Sequence, residues 1–273
     1  MKTSKITLRD GYNLTIYSAH VSEPKAHLLF VHGYAEHAGR YDAFATFLNE
    51  HEISFTGYDH RGHGHSDGLK AYIRKFEDLV FDLDEVSTSL NFDAPVFIMG
   101  HSLGGLIALN HLFAKQDLYS GFICSSAALE IDPEMSPFLQ KLAPIIGLIF
   151  PKMPTEPLDK TYLTRSPENL QSYMNDPLIY TSGTRARTGA EMLKAIRKSR
   201  LRFNEIQLPL LVQHGTADRL TMPGGSSKLH DEAFSSDKAI NLYEGLYHEL
   251  IFEPERAKIS KNITDWILSR CNT

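Results

Sequence analysis

Ser102 sits in the stretch VFIMGHSLGGLIAL, where an apolar run meets three glycines around one hydroxyl. A serine hydroxyl is a poor nucleophile on its own. It needs a base to take its proton and an acid to orient that base. Gly100-His101-Ser102-Leu103-Gly104 has the pattern G-x-S-x-G, between a predicted strand and a predicted helix. In that context the serine is forced onto a strained turn and its hydroxyl is lifted clear of a sheet. Small neighbours let the backbone pass closely, and the helix N-terminus presents unpaired N–H groups to developing negative charge. The alternative for the same five residues is a plain glycine turn.

On a strand–turn–helix of this kind the chain order of the partners is serine, then acid, then histidine. Four histidines follow Ser102: His111, His214, His230 and His248. His111 lies in the helix straight after the serine, His214 precedes the best acid, and His230 sits within SKLHDEAF, a predicted helix. His248, in EGLYHEL just past the last predicted strand, is the expected base; a solvated loop histidine is the competing reading. Asp218, at the carboxyl end of LLVQHGTADRL, is the expected acid, with a helix N-cap or turn aspartate as its alternative. Asp231, Asp237 and Asp265 fall in or beside surface helices and read as solvated charges. The oxyanion of an acyl-transfer intermediate would be met by the Leu103 N–H, after the nucleophile, and by the Tyr34 N–H in VHGYAEH, after an earlier strand.

The elements that must hold these groups alternate. KITLR and NLTIYSA flank Asp10-Gly11 as a hairpin. HLLFVHG, ISFTGYD, VFIMG, GFICSS, LPLLVQHG and AINLYEG read as buried strands. Helices intervene, one with Phe76, Leu79, Val80, Leu83, Val86 and Leu90 on one face, and a last one with Ile259, Ile263, Trp266 and Ile267. Strands alternating with helices predict an α/β fold, a mostly parallel sheet covered on both faces. One region breaks the rhythm: eight of the thirteen prolines lie between Pro133 and Pro177. Residues 127–185 are therefore expected to form an inserted cap, and 1–126 with 186–273 the core.

The bulk properties narrow the function. A length of 273 residues suffices for one large domain with an insertion. A net charge of -5 does not suggest nucleic-acid binding, which wants a basic face. Two cysteines, Cys124 and Cys271, offer neither a disulfide framework nor a four-cysteine zinc site. MKTSKITLRDGYN lacks the apolar stretch of a secretory signal, and no run approaches the ~20 apolar residues of a membrane span. The expected setting is cytoplasmic, with peripheral membrane contact left open. His60, His63 and His65 in DHRGHGHSDG invite a metal reading, yet the glycines between them suit a structural turn better. No G-x-G-x-x-G or P-loop pattern appears, so no cofactor is expected.

Taken together, the chain resembles the monoacylglycerol lipases and lysophospholipase-like serine hydrolases of the α/β-hydrolase fold. The resemblance runs over almost the whole length. It rests on HGYAEHAGRY (from His32), YDHRGHGHSDG (from Tyr58), GHSLGG (from Gly100), YMNDPL (from Tyr173), HGTADRL (from His214) and YEGLYHEL (from Tyr243). It implies a triad of Ser102, Asp218 and His248, and a polar pocket for a departing glycerol near Glu36, Arg40, His101 and Tyr173. Glu36 and Arg40 carry a second reading, an ion pair that props the oxyanion loop. The turn after the second parallel strand is expected to hold a buried pair of Asp59 with Arg61. Tyr34 departs from the family, where that position is often small, and its ring is expected to reshape the acyl channel.

The resemblance implies an ester hydrolase acting on a small-molecule ester or lipid, a monoacylglycerol foremost. A general carboxylesterase, a lysophospholipase or a related peptidase is the alternative within the fold, and a non-catalytic ligand-binding protein the alternative outside catalysis. LAPIIGLIF is expected to be a buried lid helix lining the acyl tunnel, with transient lipid contact as a further hypothesis.

Overall fold

The computed structural model describes residues 1–155 and 157–271. Strands β1 (Lys2–Thr7) and β2 (Asn13–Ala19) form the antiparallel hairpin, and Gly11 turns it at φ +88°. The remaining strands are β3 (Ala26–Val31), β4 (Ile53–Tyr58), β5 (Val96–His101), β6 (Gly121–Ser125), β7 (Leu210–Gly215) and β8 (Lys238–Tyr243). All eight join one sheet in the order β1-β2-β4-β3-β5-β6-β7-β8. β2 meets β4 antiparallel, and every pairing from β4 to β8 is parallel. This is the mostly parallel α/β sheet that the alternation of strands and helices predicts, and it fits the α/β-hydrolase fold that the resemblance implies.

Side chains alternate across the strands and sort the core into two layers. Leu29, Val31, Ile98 and Val212 face α2 (Phe76–Ser89) and α3 (Leu103–Lys115). Leu28, Phe30, Phe97 and Leu211 face α1 (Asp42–Asn49) and α8 (Arg256–Leu268). Both faces are covered, which is why these strands read as near-continuous apolar runs. Each fully buried Leu or Phe contributes roughly 1.5–3 kcal/mol of transfer free energy.

The chain order reverses around β3, which has β4 on one side and β5 on the other. Crevices at such switch points, outside the carboxyl ends of the strands, are where ligands bind in open α/β sheets. The register aligns those ends: Val31 pairs with Gly100, His101 with Ser125, and Gly215 with Tyr243. The loops carrying Tyr34, Ser102, Asp218 and His248 all leave from that edge.

The turn after β4 differs from expectation. Asp59 does not pair with Arg61. It accepts instead from the Ala38 N–H and His65 N–H, both at 2.9 Å, and from the Tyr17 hydroxyl at 3.1 Å. Arg61 points the other way, to Asp82 at 2.6 Å and Asp10 at 2.9 Å. Gly62 turns the chain just after Arg61 at φ +75°, and the two side chains leave for different partners.

Between β6 and β7 the chain inserts α4 (Pro137–Ile149), α5 (Pro167–Asn175) and α6 (Ala186–Arg200), and α7 (Pro223–Glu232) follows β7. The prolines fit helices here because two of them start helices. Pro137 and Pro167 stand in first turns, where a missing N–H costs nothing. Ser136 and Ser166 cap them, accepting from Leu139 N–H at 3.1 Å and Asn169 N–H at 3.3 Å. α4 lies close on α6: a Cβ at Gly147 would stand 3.0 Å from the Ala186 carbonyl oxygen. The expectation of a buried lid helix is corrected. Phe138 (71%), Leu148 (70%) and Ile149 (61%) are exposed, and Gly147 alone in α4 is buried. The glycine side of α4 meets α6, so its large apolar side chains turn outward.

Candidate active site

Ser102 joins β5 to α3 at φ 53°, ψ −119°. A non-glycine residue held there costs of order 1–3 kcal/mol and persists only where the surroundings over-determine it. They do so here. The Ser102 N–H donates to the Ser125 carbonyl at 3.0 Å, and the Ser102 carbonyl accepts from Gly105 and Ala128 N–H groups, both at 3.1 Å. The flanking glycines are sterically required. A Cβ at Gly104 would stand 2.0 Å from the Val31 carbonyl oxygen, and one at Gly100 would stand 2.5 Å from that of Gly104. The Ser102 hydroxyl makes no hydrogen bond among the described residues. Such bonds are often long without substrate and tighten in the complex.

Asp218 and His248 are brought together from the ends of β7 and β8. His248 Nδ1 lies 2.7 Å from Asp218 Oδ2. The other partners of this carboxylate lock it. Leu220 and Thr221 N–H groups donate to Oδ1 at 2.8 and 3.1 Å, while the Thr221 hydroxyl and His214 Nε2 lie 2.9 and 3.0 Å from Oδ2. His214 is itself held by Ser226 Oγ, 2.7 Å from its Nδ1. Burial opposes the Asp218 charge, but the imidazoles of His248 and His214 overcome it and hold the carboxyl well below its ordinary range. Burial alone would lower His248; Asp218 outweighs it, with Glu249 and Glu36 acting in the same sense, so the imidazole is raised.

The turn after β3 faces the serine. A Cβ on Gly33 would stand 3.2 Å from Ser102 Cβ. The N–H groups of Tyr34 and Leu103 have no hydrogen-bond partner among the described residues, so two donors flank the serine unspent. The Tyr34 hydroxyl donates to the Ala71 carbonyl at 3.1 Å, and its ring lies 5.7 Å from that of His63.

The four polar residues around the serine divide into two kinds. Glu36 and Arg40 are consumed by bonds within the protein. Glu36 accepts from the Gly33 N–H at 2.6 Å, the Tyr41 hydroxyl at 2.9 Å and Arg40 at 2.6 Å. Arg40 also forks onto Glu249, with both bonds at 2.7 Å. Burial works to raise both carboxyls; at Glu36 the Arg40 guanidinium prevails and holds it down, whereas Glu249 remains raised. His101 and Tyr173, by contrast, make no side-chain hydrogen bond among the described residues. The His101 ring lies 4.7 Å from that of His248, and burial followed by that neighbour pushes it down to about 3. The Tyr173 ring lies 4.7 Å from the Arg40 guanidinium.

The inserted segment reaches the site directly. His248 and Glu249 N–H groups donate to Tyr162 and Leu163 carbonyls at 3.2 and 2.8 Å. The Tyr180 N–H donates to the Ala35 carbonyl at 3.0 Å, and His37 Nε2 lies 2.8 Å from Asp176 Oδ2.

His214, Thr221 and Glu249 were not singled out from the sequence. The sequence offers His214 only as a candidate base. Glu249 carries a legible signal, a glutamate directly before the apolar run Leu250-Ile251-Phe252. His111 and His230 lie apart from the site, one against Tyr119 at 2.9 Å and the other on α7 beside Asp231. His60 and His63 pack with His32 at the turn after β3, and the His60 N–H donates to His32 Nε2 at 3.0 Å.

Known proteins resemble the chain over most of its length. The family described as serine aminopeptidase, S33 matches residues 22–255. A monoacylglycerol lipase of Mycolicibacterium smegmatis is 32% identical, over 91% of this chain and 90% of its own. The human monoglyceride lipase is 32% identical, over 92% of this chain and 84% of its own. The crystal structure of the Paleococcus ferrophilus monoacylglycerol lipase superposes with a TM-score of 0.84 at 30% identity, covering 93% of this chain and 99% of that one. The chain belongs to the serine aminopeptidase S33 family of serine hydrolases, on the α/β-hydrolase fold.

Proposed function

We propose that this enzyme hydrolyses monoacylglycerol-type esters through an acyl-enzyme on Ser102. The observation that carries the reading is the 2.7 Å contact of His248 with Asp218, at the same sheet edge as a serine held at positive φ. Ser102 attacks the ester carbonyl as His248 takes its proton. Asp218 holds the imidazole in the useful tautomer and stabilises its charged form. Tyr34 and Leu103 N–H groups receive the oxyanion. His248 protonates the departing alcohol, and water repeats the cycle on the acyl-enzyme. No step calls for a cofactor.

The head group is met by His101 and Tyr173, whose side chains make no hydrogen bond among the described residues. Glu36 and Arg40 shape that end of the pocket from behind. Residues 127–185 act as the cap. Exposed Phe138, Ile145, Leu148 and Ile149 on α4 give it an apolar face suited to transient contact with a lipid surface. Among the described residues, no helix is long and apolar enough to cross a membrane.

A second reading draws on Tyr34, whose ring is fixed beside the oxyanion turn by its bond to Ala71. A narrowed channel would suit shorter acyl groups, as in a general carboxylesterase.

One panel separates the two: 4-nitrophenyl esters of graded length beside monoacylglycerol, diacylglycerol and lysophosphatidylcholine. We expect preference for monoacylglycerol, with kcat reduced by on the order of 10⁴-fold or more in Ser102→Ala. Cleavage of short nitrophenyl esters alone would discard the lipid assignment, and retained turnover in the mutant would discard the nucleophile. Because His248 must be neutral to act and its pKa is raised, kcat/KM should fall in acid with a midpoint above 6.5.

A further inference from the structure

Two carboxylates converge on one guanidinium beneath the site. Arg40 binds Glu36 with one bond and Glu249 with two, and all three side chains are at most 7% exposed. The rings of Phe252 and Tyr173 lie 4.4 and 4.7 Å from the guanidinium. The ends of this cluster fall on two catalytic segments. Glu36 holds the Gly33 N–H, one residue before the Tyr34 donor, and Glu249 is the residue after His248. A buried cluster of this kind is poor value as stability, since dehydrating the charges offsets most of their attraction. What it adds is geometry, because a bidentate fork sets distance and plane together.

We propose that Glu249 is a positioning residue, which through its two bonds to Arg40 holds the His248 segment in register with the oxyanion turn at Gly33 and Tyr34. The inference rests on the hydrolase reading of Ser102 and His248 and assigns a task to a residue outside the triad. It has two separable consequences. Losing the fork lets the base drift relative to the oxyanion donors, and a misplacement near 1 Å costs on the order of 10²-fold in rate. Losing the charge alters His248 itself. The titratable groups acting on that imidazole are Asp218, Glu249, Glu36 and His101, and Glu249 favours its charged form.

The test measures labelling of Ser102 by a fluorophosphonate probe, and the pH dependence of 4-nitrophenyl ester hydrolysis. Wild type, Glu249→Ala, Glu249→Gln and Arg40→Lys are compared, with thermal unfolding read alongside. Glu249→Ala should label on the order of 10²-fold more slowly, with the loss in kcat and not in KM. Glu249→Gln keeps the shape and should lose about 10-fold, with its acid limb moved to lower pH. Arg40→Lys should lose rate as well, since a point charge cannot fork. A wild-type labelling rate and an unmoved acid limb in Glu249→Gln would overturn the proposal, and that variant decides alone if Glu249→Ala does not fold. A wild type that the probe does not label would instead overturn the hydrolase reading, and this inference with it.

Discussion

The inserted segment between β6 and β7 has two halves that behave as opposites. Its later half, residues 160–180, is bonded to the loops that follow β3 and β8. Tyr162 and Leu163 carbonyls take the His248 and Glu249 N–H groups, Asp176 meets His37, and Tyr173 stacks on Arg40. The earlier half, α4, makes its close approach to α6 through Gly147 and leaves Phe138, Leu148 and Ile149 in water. One half is part of the site; the other is a surface. The difference explains the motif YMNDPL. Its tyrosine and aspartate are the contact points of the anchored half, and Asp176 also takes the Leu178 N–H at 2.8 Å to shape the following turn. Among the described residues, α4 has no comparable polar tie to either loop.

The strongest way to break this contrast is Asp176→Ala. It strands the His37 imidazole, costs about 1–3 kcal/mol, and should lower kcat/KM by on the order of 10²-fold for soluble and lipid esters alike. Urea unfolding and steady-state kinetics check it; unchanged turnover would show that the tie to the loop after β3 is idle.

The next test uses acid. Burial holds His60 at about 3 and His63 at about 4, so both are neutral in the fold. Their contribution to stability is whole above the unfolded value of 6.5, and is lost as pH falls through 6.5 toward those folded values. α4 carries no histidine. Hydrogen exchange corrected for intrinsic rates should lose more protection around residues 32–63 than in α4 between about pH 7 and about pH 4.5. Equal losses would mean that the two regions open as one.

The smallest effect on the protein itself belongs to Ile145→Ser with Ile149→Ser. Stability should stay within about 0.5 kcal/mol, and short nitrophenyl esters should be cleaved as before. Monoacylglycerol presented in vesicles should be cleaved on the order of 10-fold more slowly, since each lost methylene contact with lipid is worth about 0.8 kcal/mol. Unchanged vesicle co-sedimentation would remove the lipid-contact role of α4.

The strands and their mostly parallel sheet were legible because periodicity and turn residues are local signals, whereas the order of the strands across the sheet came from the structure. GHSLGG announced a strained turn, since only glycine tolerates the approach of Gly104 to the Val31 carbonyl. The order of serine, aspartate and histidine along the chain, with the strand ends, singled out Asp218 and His248 as the candidates that the structure places in contact. Three more things were decided by tertiary structure alone. Asp59 and Arg61 looked like a pair, and the fold sends them to different partners. α4 looked like a lining helix, and a single glycine facing α6 turns its apolar side outward. Glu36 and Arg40 admitted two readings, and what weighs between them is Glu249, which stands 209 positions from Arg40 in sequence and 2.7 Å from it in space. A sequence records which side chains are available and the local backbone they prefer. Which of two distant charges meets a third is settled by how the elements pack, because the cost of burying a charge depends on the partner it finds there.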